Sequence, residues 1–132
     1  MTIAEIEDLA DRFAYAADIL YKCGCDGIQL HAAHGYLLSQ FLSPRVNKRT
    51  DKYGGSFENR SRIIFEIIAA VRARVPDEKF MLSIKINSAD FADGGFSAEE
   101  SQQLVIKLED HLDLIELSGG TYESRAFEHK KG

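Results

Sequence analysis

Two histidines and a tyrosine, His31, His34 and Tyr36, fall within six residues of one another, at the end of a short apolar run, GIQLH (27–31). Imidazole N–H groups aimed at one point can hold a carbonyl or nitro oxygen and stabilise the negative charge that develops there. A neighbouring phenol can deliver a proton to the adjoining carbon. The trio therefore suits reduction of an activated double bond, while the same spacing also occurs at purely structural strand ends. As a metal site it is poor. The H-x-x-H pair straddles a strand end, lacks the i, i+4 spacing of a helical zinc pair, and has no evident third ligand. Cys23 and Cys25, one residue apart, complete neither a zinc site nor an ordinary structural disulfide, and they read as buried reduced thiols.

The elements that must position these residues can be read in order. A capping box, Thr2 with Glu5, opens a helix whose apolar stripe runs through Ile6, Leu9, Phe13, Ala16, Ala17 and Leu20 to a stop at Gly24. GIQLH (27–31) is a short strand, and YLLSQFL (36–42) a turn or two of helix ended by Pro44. A loop over 44–55 follows, with Asn47, Asp51, Gly54 and Gly55 as turn formers. Ser56 opens the next helix, buried along Ile63, Ile64, Ile67, Ile68 and Val71 and closed by Pro76. FMLSIKIN (80–87) is a second strand. A second capping box, Ser97 with Glu100, starts a helix to about Asp110, and LDLIELS (112–118) is a third strand ended by Gly119 and Gly120. Alternation of this kind calls for a parallel sheet with helical crossovers, an α/β fold.

Side-chain parity sharpens the fold. Ile28 and Leu30 oppose Gln29 and His31; Leu82, Ile84 and Ile86 oppose Ser83, Lys85 and Asn87; Ile115 and Leu117 oppose Glu116 and Ser118. One face is apolar and should meet helices, while the other is polar in all three strands. A sheet covered by helices on both faces would be apolar on both. A barrel explains the asymmetry, its polar residues pointing into the mouth where a ligand binds. The competing reading is a sheet with one face in water, in which Lys85 and Glu116 form an ordinary cross-strand pair.

Composition narrows the partners. The 132 residues are 45% apolar and carry a net charge of -5, which disfavours nucleic acid or an anionic membrane surface. No apolar run reaches the ~18 residues of a membrane span, and no basic, then apolar, leader is visible. A cytoplasmic protein acting on a small molecule is the expectation.

GIQLHAAHGYLLSQFLSPRVNKRTDKYGGSFENRSRIIFEII resembles the central signature of the Old Yellow Enzyme family of flavin-dependent ene-reductases and NADH:flavin oxidoreductases. IKINSADF, GGFSAEE and IELSGGTYE resemble the same family, especially its fungal NADH-oxidase-like members. The resemblance implies a TIM (β/α)8 barrel holding FMN at the carboxyl ends of its strands, with NADH or NADPH as reductant and an enone-like or other electrophilic alkene as substrate. It implies that His31 and His34 hold the substrate oxygen near the flavin and that Tyr36 donates the proton. Lys85 falls where many members carry an arginine against the flavin N1/O2 edge. Here the lysine keeps the positive charge but loses the bidentate fork.

Such a barrel needs eight strands and typically ~250 residues. Residues 1–132 therefore read as a partial barrel, a central fragment with about three parallel strands and their crossover helices, catalytically incomplete as an isolated chain. The alternative is a non-catalytic barrel remnant that assembles with itself or pairs with a complementary fragment. A different flavin-dependent barrel oxidoreductase, such as a dehydrogenase, fits the H-x-x-H-G-Y run less well. Open sheet edges lead to the expectation of self-association. In the long loop, Arg49, Asp51 and Arg60 are expected to form internal ion pairs rather than touch substrate.

Overall fold

The computed structural model describes residues 1–124; the terminal AFEHKKG segment lies outside the described residues. Helix α1 (Ile3–Lys22) begins at the capping box read from the sequence. Thr2 Oγ1 accepts the Glu5 N–H at 3.2 Å, and the Glu5 carboxylate accepts the Thr2 N–H at 2.7 Å. Its buried line is Ile6, Ala10, Ala14 and Ala17, so the apolar stripe is turned from the expected one, and Ala16 and Leu20 face outward. Alanines at these positions let α1 lie close against α3 (Phe57–Arg74), whereas Leu20 has no helix to meet. The cysteines also depart from expectation. Cys23 caps α1 and Cys25 lies just past Gly24 (φ 86°), so both thiols sit in an exposed turn outside the core.

Strands β1 (Gly27–Ala32), β2 (Met81–Asn87) and β3 (Leu114–Ser118) form one parallel sheet in chain order. The short α2 (Leu37–Leu42), then α3, cross from β1 to β2, and α4 (Ala98–Leu108) crosses from β2 to β3. The register sets His31, Lys85 and Glu116 side by side. Parity holds best on the central strand, where Leu82, Ile84 and Ile86 are fully buried against the core to which α3 contributes Ile63, Ile64, Ile67, Ile68 and Val71. On β3 it fails. Ile115 is half-buried but Leu117 is 58% exposed, because β3 pairs only with β2 and no described helix lies over its outer part. On the polar face Ser83 and Asn87 are buried rather than open, and Ser83 Oγ donates to the Ile28 carbonyl at 3.0 Å.

The long loop before α3 is held internally, as expected. Arg49 pairs with Asp51 at 2.6 Å, and Asn47 Nδ2 donates to the Phe41 and Tyr53 carbonyls, each at 2.8 Å. Gly54 lies so close to the Arg49 backbone that a Cβ would stand 2.2 Å from its carbonyl oxygen, which excludes any other residue. Arg60, buried on α3, donates to the Leu42 and Gly55 carbonyls and pairs with Glu100 of the α4 capping box. One guanidinium thus joins the end of α2, the loop and the start of α4. Arg60→Met leaves those carbonyls and a carboxylate without their donor, at a cost of about 3–5 kcal/mol for a broken buried pair. Urea unfolding should show that loss in the midpoint with little change in slope; an equally stable variant would show that the Arg60 contacts add nothing net to stability.

Candidate functional site

At the carboxyl end of β1 the chain turns through Ala33 and then His34, whose φ of 63° places a non-glycine residue in the left-handed region. Such a conformation costs energy and persists only when its surroundings fix it. The fixing contact is Asn87, at the end of β2, whose Oδ1 accepts the His34 N–H at 3.1 Å. The same side chain donates through Nδ2 to Asp90 Oδ1 at 2.8 Å and to the Gly120 carbonyl at 3.0 Å. Asp90 in turn accepts the Phe96 N–H at 2.8 Å. Three strand-end loops are therefore tied to one buried amide.

The turn brings the three sequence-predicted residues together. The His31 ring meets His34 edge-on at 5.3 Å between centroids and Tyr36 at 5.0 Å. Tyr36 is the N-cap of α2 and is 46% exposed. His34 Nε2 lies 2.6 Å from the Ser118 hydroxyl at the end of β3, which fixes the ring's orientation across the whole sheet. Lys85 is the register partner of His31 and forms a 2.8 Å ion pair with Glu116, which also accepts from Gln29 Nε2 at 3.1 Å. The cross-strand pair foreseen as the plain alternative is thus present, beside His31 on the neighbouring strands.

The electrostatics follow. His31 titrates below the ordinary histidine value, first because burial penalises its charged form, then because His34 and Lys85 repel a second positive charge. Glu116 acts in the opposite sense and offsets part of this. The Glu116 carboxyl is itself held below the usual range by its hydrogen bonds to Lys85 and Gln29. At neutral pH, His31 is therefore a neutral imidazole that offers an N–H without a net charge.

Several members of the site were not singled out from the sequence. Asn87 and Ser118 appear there only as polar strand residues, and nothing in their spacing reveals the contacts to His34. Tyr122 is the clearest omission. Its ring stands edge-on to Tyr36 at 5.1 Å, and the sole signal was its place just after the third strand. Among the described residues no cluster of His, Cys, Asp or Glu is arranged to hold a metal, and no helix is long and apolar enough to cross a membrane.

The donor set suits one edge of a flavin ring. Imidazole and ammonium donors share one face at the strand ends, and the Lys85 ammonium spends one of its three N–H donors on Glu116. Parallel β/α units with cationic and proton-bearing groups gathered at their strands' carboxyl ends match the place where barrel enzymes keep their active sites. Comparison with known proteins agrees. The model of the NADH:flavin oxidoreductase / NADH oxidase family matches residues 1–123. The NADH-dependent flavin oxidoreductase nadA of Aspergillus parasiticus is 50% identical over 121 residues, 91% of this chain and 27% of that protein. An NADH oxidase of Thermoanaerobacter brockii is 43% identical over 94% of this chain and 19% of its own length. Among solved structures, 2-naphthoyl-CoA reductase in complex with 2-naphthoyl-CoA aligns with TM-score 0.88 and 36% identity, over 94% of this chain and 19% of that one. Histamine dehydrogenase from Rhizobium sp. 4-9 aligns with TM-score 0.85 and 34% identity, over 93% and 18%.

The chain belongs to the NADH:flavin oxidoreductase / NADH oxidase family, as the resemblance implied. Its three strands are a partial TIM barrel, and it spans about a fifth to a quarter of the length of these relatives.

The charge balance around His31 yields a test. Lys85→Gln removes one of the repelling charges, so His31 should titrate higher, nearer the ordinary 6.5. Burial and His34 still hold it down. Because the folded-state value is depressed, the linked stability is present above pH 6.5 and is lost as pH falls through the folded value. Histidine NMR titration of both proteins checks the shift, and a downward movement would reverse the assignment of Lys85 as the repelling group.

Proposed function

We propose that this chain is the substrate-handling section of an FMN-dependent reductase of activated C=C bonds, with NADH or NADPH as the reductant. The observation that carries the reading is the convergence of His31, His34 and Tyr36 at the carboxyl end of β1, with Lys85 one strand over. Bound flavin would supply a hydride to the alkene, having taken it from the nicotinamide. His31 and His34 hold the substrate's carbonyl or nitro oxygen and receive the negative charge that grows on it. For His34 this requires the proton on Nδ1, so Ser118 donates its hydroxyl hydrogen to Nε2. Tyr36 protonates the carbon next to the activating group. Lys85 places a positive charge toward the flavin N1/O2 edge while remaining tied to Glu116.

Rapid mixing on the two half-reactions of a full-length, flavin-loaded parent carrying these residues separates these roles. His34→Ala should weaken binding of enone-like ligands and slow their reduction, the lost donor being worth about 2.7–4 kcal/mol. Tyr36→Phe should instead leave ligand binding and flavin reduction by NAD(P)H nearly intact and slow reoxidation by an alkene, within the ~10²–10⁴-fold range of a general acid. Reoxidation at the unmutated rate would return Tyr36 to a packing role and defeat the reading.

Assembly belongs to the same proposal. Leu114 and Leu117 on β3 and Ile106 on α4 are each more than half exposed, and both outer strands present unpaired edges within the described sheet. The isolated chain should therefore self-associate. Sedimentation velocity at increasing concentration tests this, and a concentration-independent, cooperatively unfolding monomer would refute it.

A further inference from the structure

We infer that Glu116 is a positioning residue for Lys85, holding its ammonium in place on the polar face of the sheet and tempering the charge it presents to bound flavin. The inference rests on the proposed place of Lys85 toward the flavin N1/O2 edge. Its basis is a polar bridge that crosses all three strands. Lys85 Nζ on β2 lies 2.8 Å from Glu116 Oε1 on β3, and Gln29 Nε2 on β1 donates to Glu116 Oε2 at 3.1 Å. Two strand spacings, roughly 9.5 Å, separate β1 from β3, a gap that only long side chains close. Ser83, the register partner of Gln29, is small and spends its hydroxyl on the Ile28 carbonyl. The Gln29 amide and the Glu116 carboxylate therefore meet over the central strand, next to Lys85.

Each carboxylate oxygen has its own partner, so Glu116 cannot swing away without losing a contact. Lysine is a point charge on a flexible four-carbon stem, and the 2.8 Å contact is what confines it. The same contact sets how much of its charge reaches beyond the pair. A cation at the N1/O2 edge favours reduced flavin, where negative charge gathers. A carboxylate held against that cation opposes the effect, and bound flavin then stays a stronger reductant. His31 senses the same pair from the neighbouring strand, as the register partner of Lys85. Lys85 and His34 oppose its protonation, and Glu116 favours it.

Two measurements test this, neither of them turnover. Glu116→Gln removes the charge and keeps an acceptor for Gln29. The Lys85 and Glu116 side chains are 27% and 45% exposed, and a pair so open to solvent adds little to stability, so these variants fold. In a full-length, flavin-loaded parent carrying these residues, Glu116→Gln should move the two-electron equilibrium about tenfold toward reduced flavin, a potential about 30 mV higher. Lys85→Gln should move it the opposite way. With Lys85 already replaced, Glu116→Gln should have about a third of its effect or less, because the carboxylate then has no cation to hold. In the flavin-free chain, histidine NMR should show His31 titrating lower in Glu116→Gln. If Glu116→Gln shifts the potential equally with and without Lys85, the carboxylate acts on its own and the inference is wrong. It is wrong too if Glu116→Gln leaves either the potential or His31 unmoved while Lys85→Gln lowers the potential, and the proposed function then stands. If Lys85→Gln itself leaves the potential unchanged, the proposed place of Lys85 fails and takes the role of Glu116 with it.

Discussion

The arrangement of the strand ends depends on the side chain of Asn87. An amide buried to 1% exposure must satisfy its hydrogen-bonding groups within the protein, and leaving one of their partners unmade costs roughly 1–3 kcal/mol. Here its three bonds reach His34, Asp90 and Gly120, one in each strand-end loop, while its backbone carbonyl accepts from Ser101 of α4 at 2.9 Å. Because the partners lie on three separate segments, moving any loop breaks a buried bond. The left-handed turn at His34 is stabilised by the same contact. The rings of His31, His34, Tyr36 and Tyr122 can therefore meet without a ligand to gather them.

The charges beside those rings work in one consistent direction. Lys85 and Glu116 neutralise each other on adjacent strands, but they are not equivalent for His31, since Lys85 opposes its protonation and Glu116 favours it. Burial decides the balance in favour of the neutral ring. A neutral imidazole can donate to a substrate oxygen without carrying a full charge into the ground state. Its stabilising effect then grows as negative charge develops, which is the condition for lowering a barrier rather than merely binding more tightly.

Much of this was legible in the sequence because local rules and packing agree. Both capping boxes are present, and Leu82, Ile84 and Ile86 of the central strand are buried as their parity foretold, because the strand has a neighbour on each edge and helices over its apolar face. The failures occur where a residue's surroundings are set by elements distant in the chain. Parity placed Leu117 on the apolar face correctly but could not say whether anything covers that part of an edge strand. The helical stripe on α1 was misread at Ala16 and Leu20, because the small residues at 10, 14 and 17 set how α3 approaches. Cys23 and Cys25 flank Gly24 in the turn that ends α1, so they are exposed. Asn87, Ser118 and Tyr122 join the site through contacts that span 53 to 86 positions along the chain, and no spacing rule reaches that far.

The relatives show how little of the outcome this section needs to specify. A chain section of the same fold occurs in a naphthoyl-CoA reductase and in a histamine dehydrogenase, whose named substrates share no evident functional group. Under the proposed function, what the section contributes is a set of hydrogen-bond donors and a cation held by Glu116, which suits any reaction that places negative charge near a flavin. Lysine at position 85 fits this permissive role. An arginine fork would commit two parallel donors to one planar partner, whereas a tetrahedral ammonium can hold Glu116 with one hydrogen and offer the others elsewhere. Under the proposed function, that divided loyalty weakens the grip on the flavin edge while keeping the charge there. Selectivity then rests on how the loops carrying Tyr36 and Tyr122 meet the substrate, since the sheet beneath them supplies the same charge to every ligand.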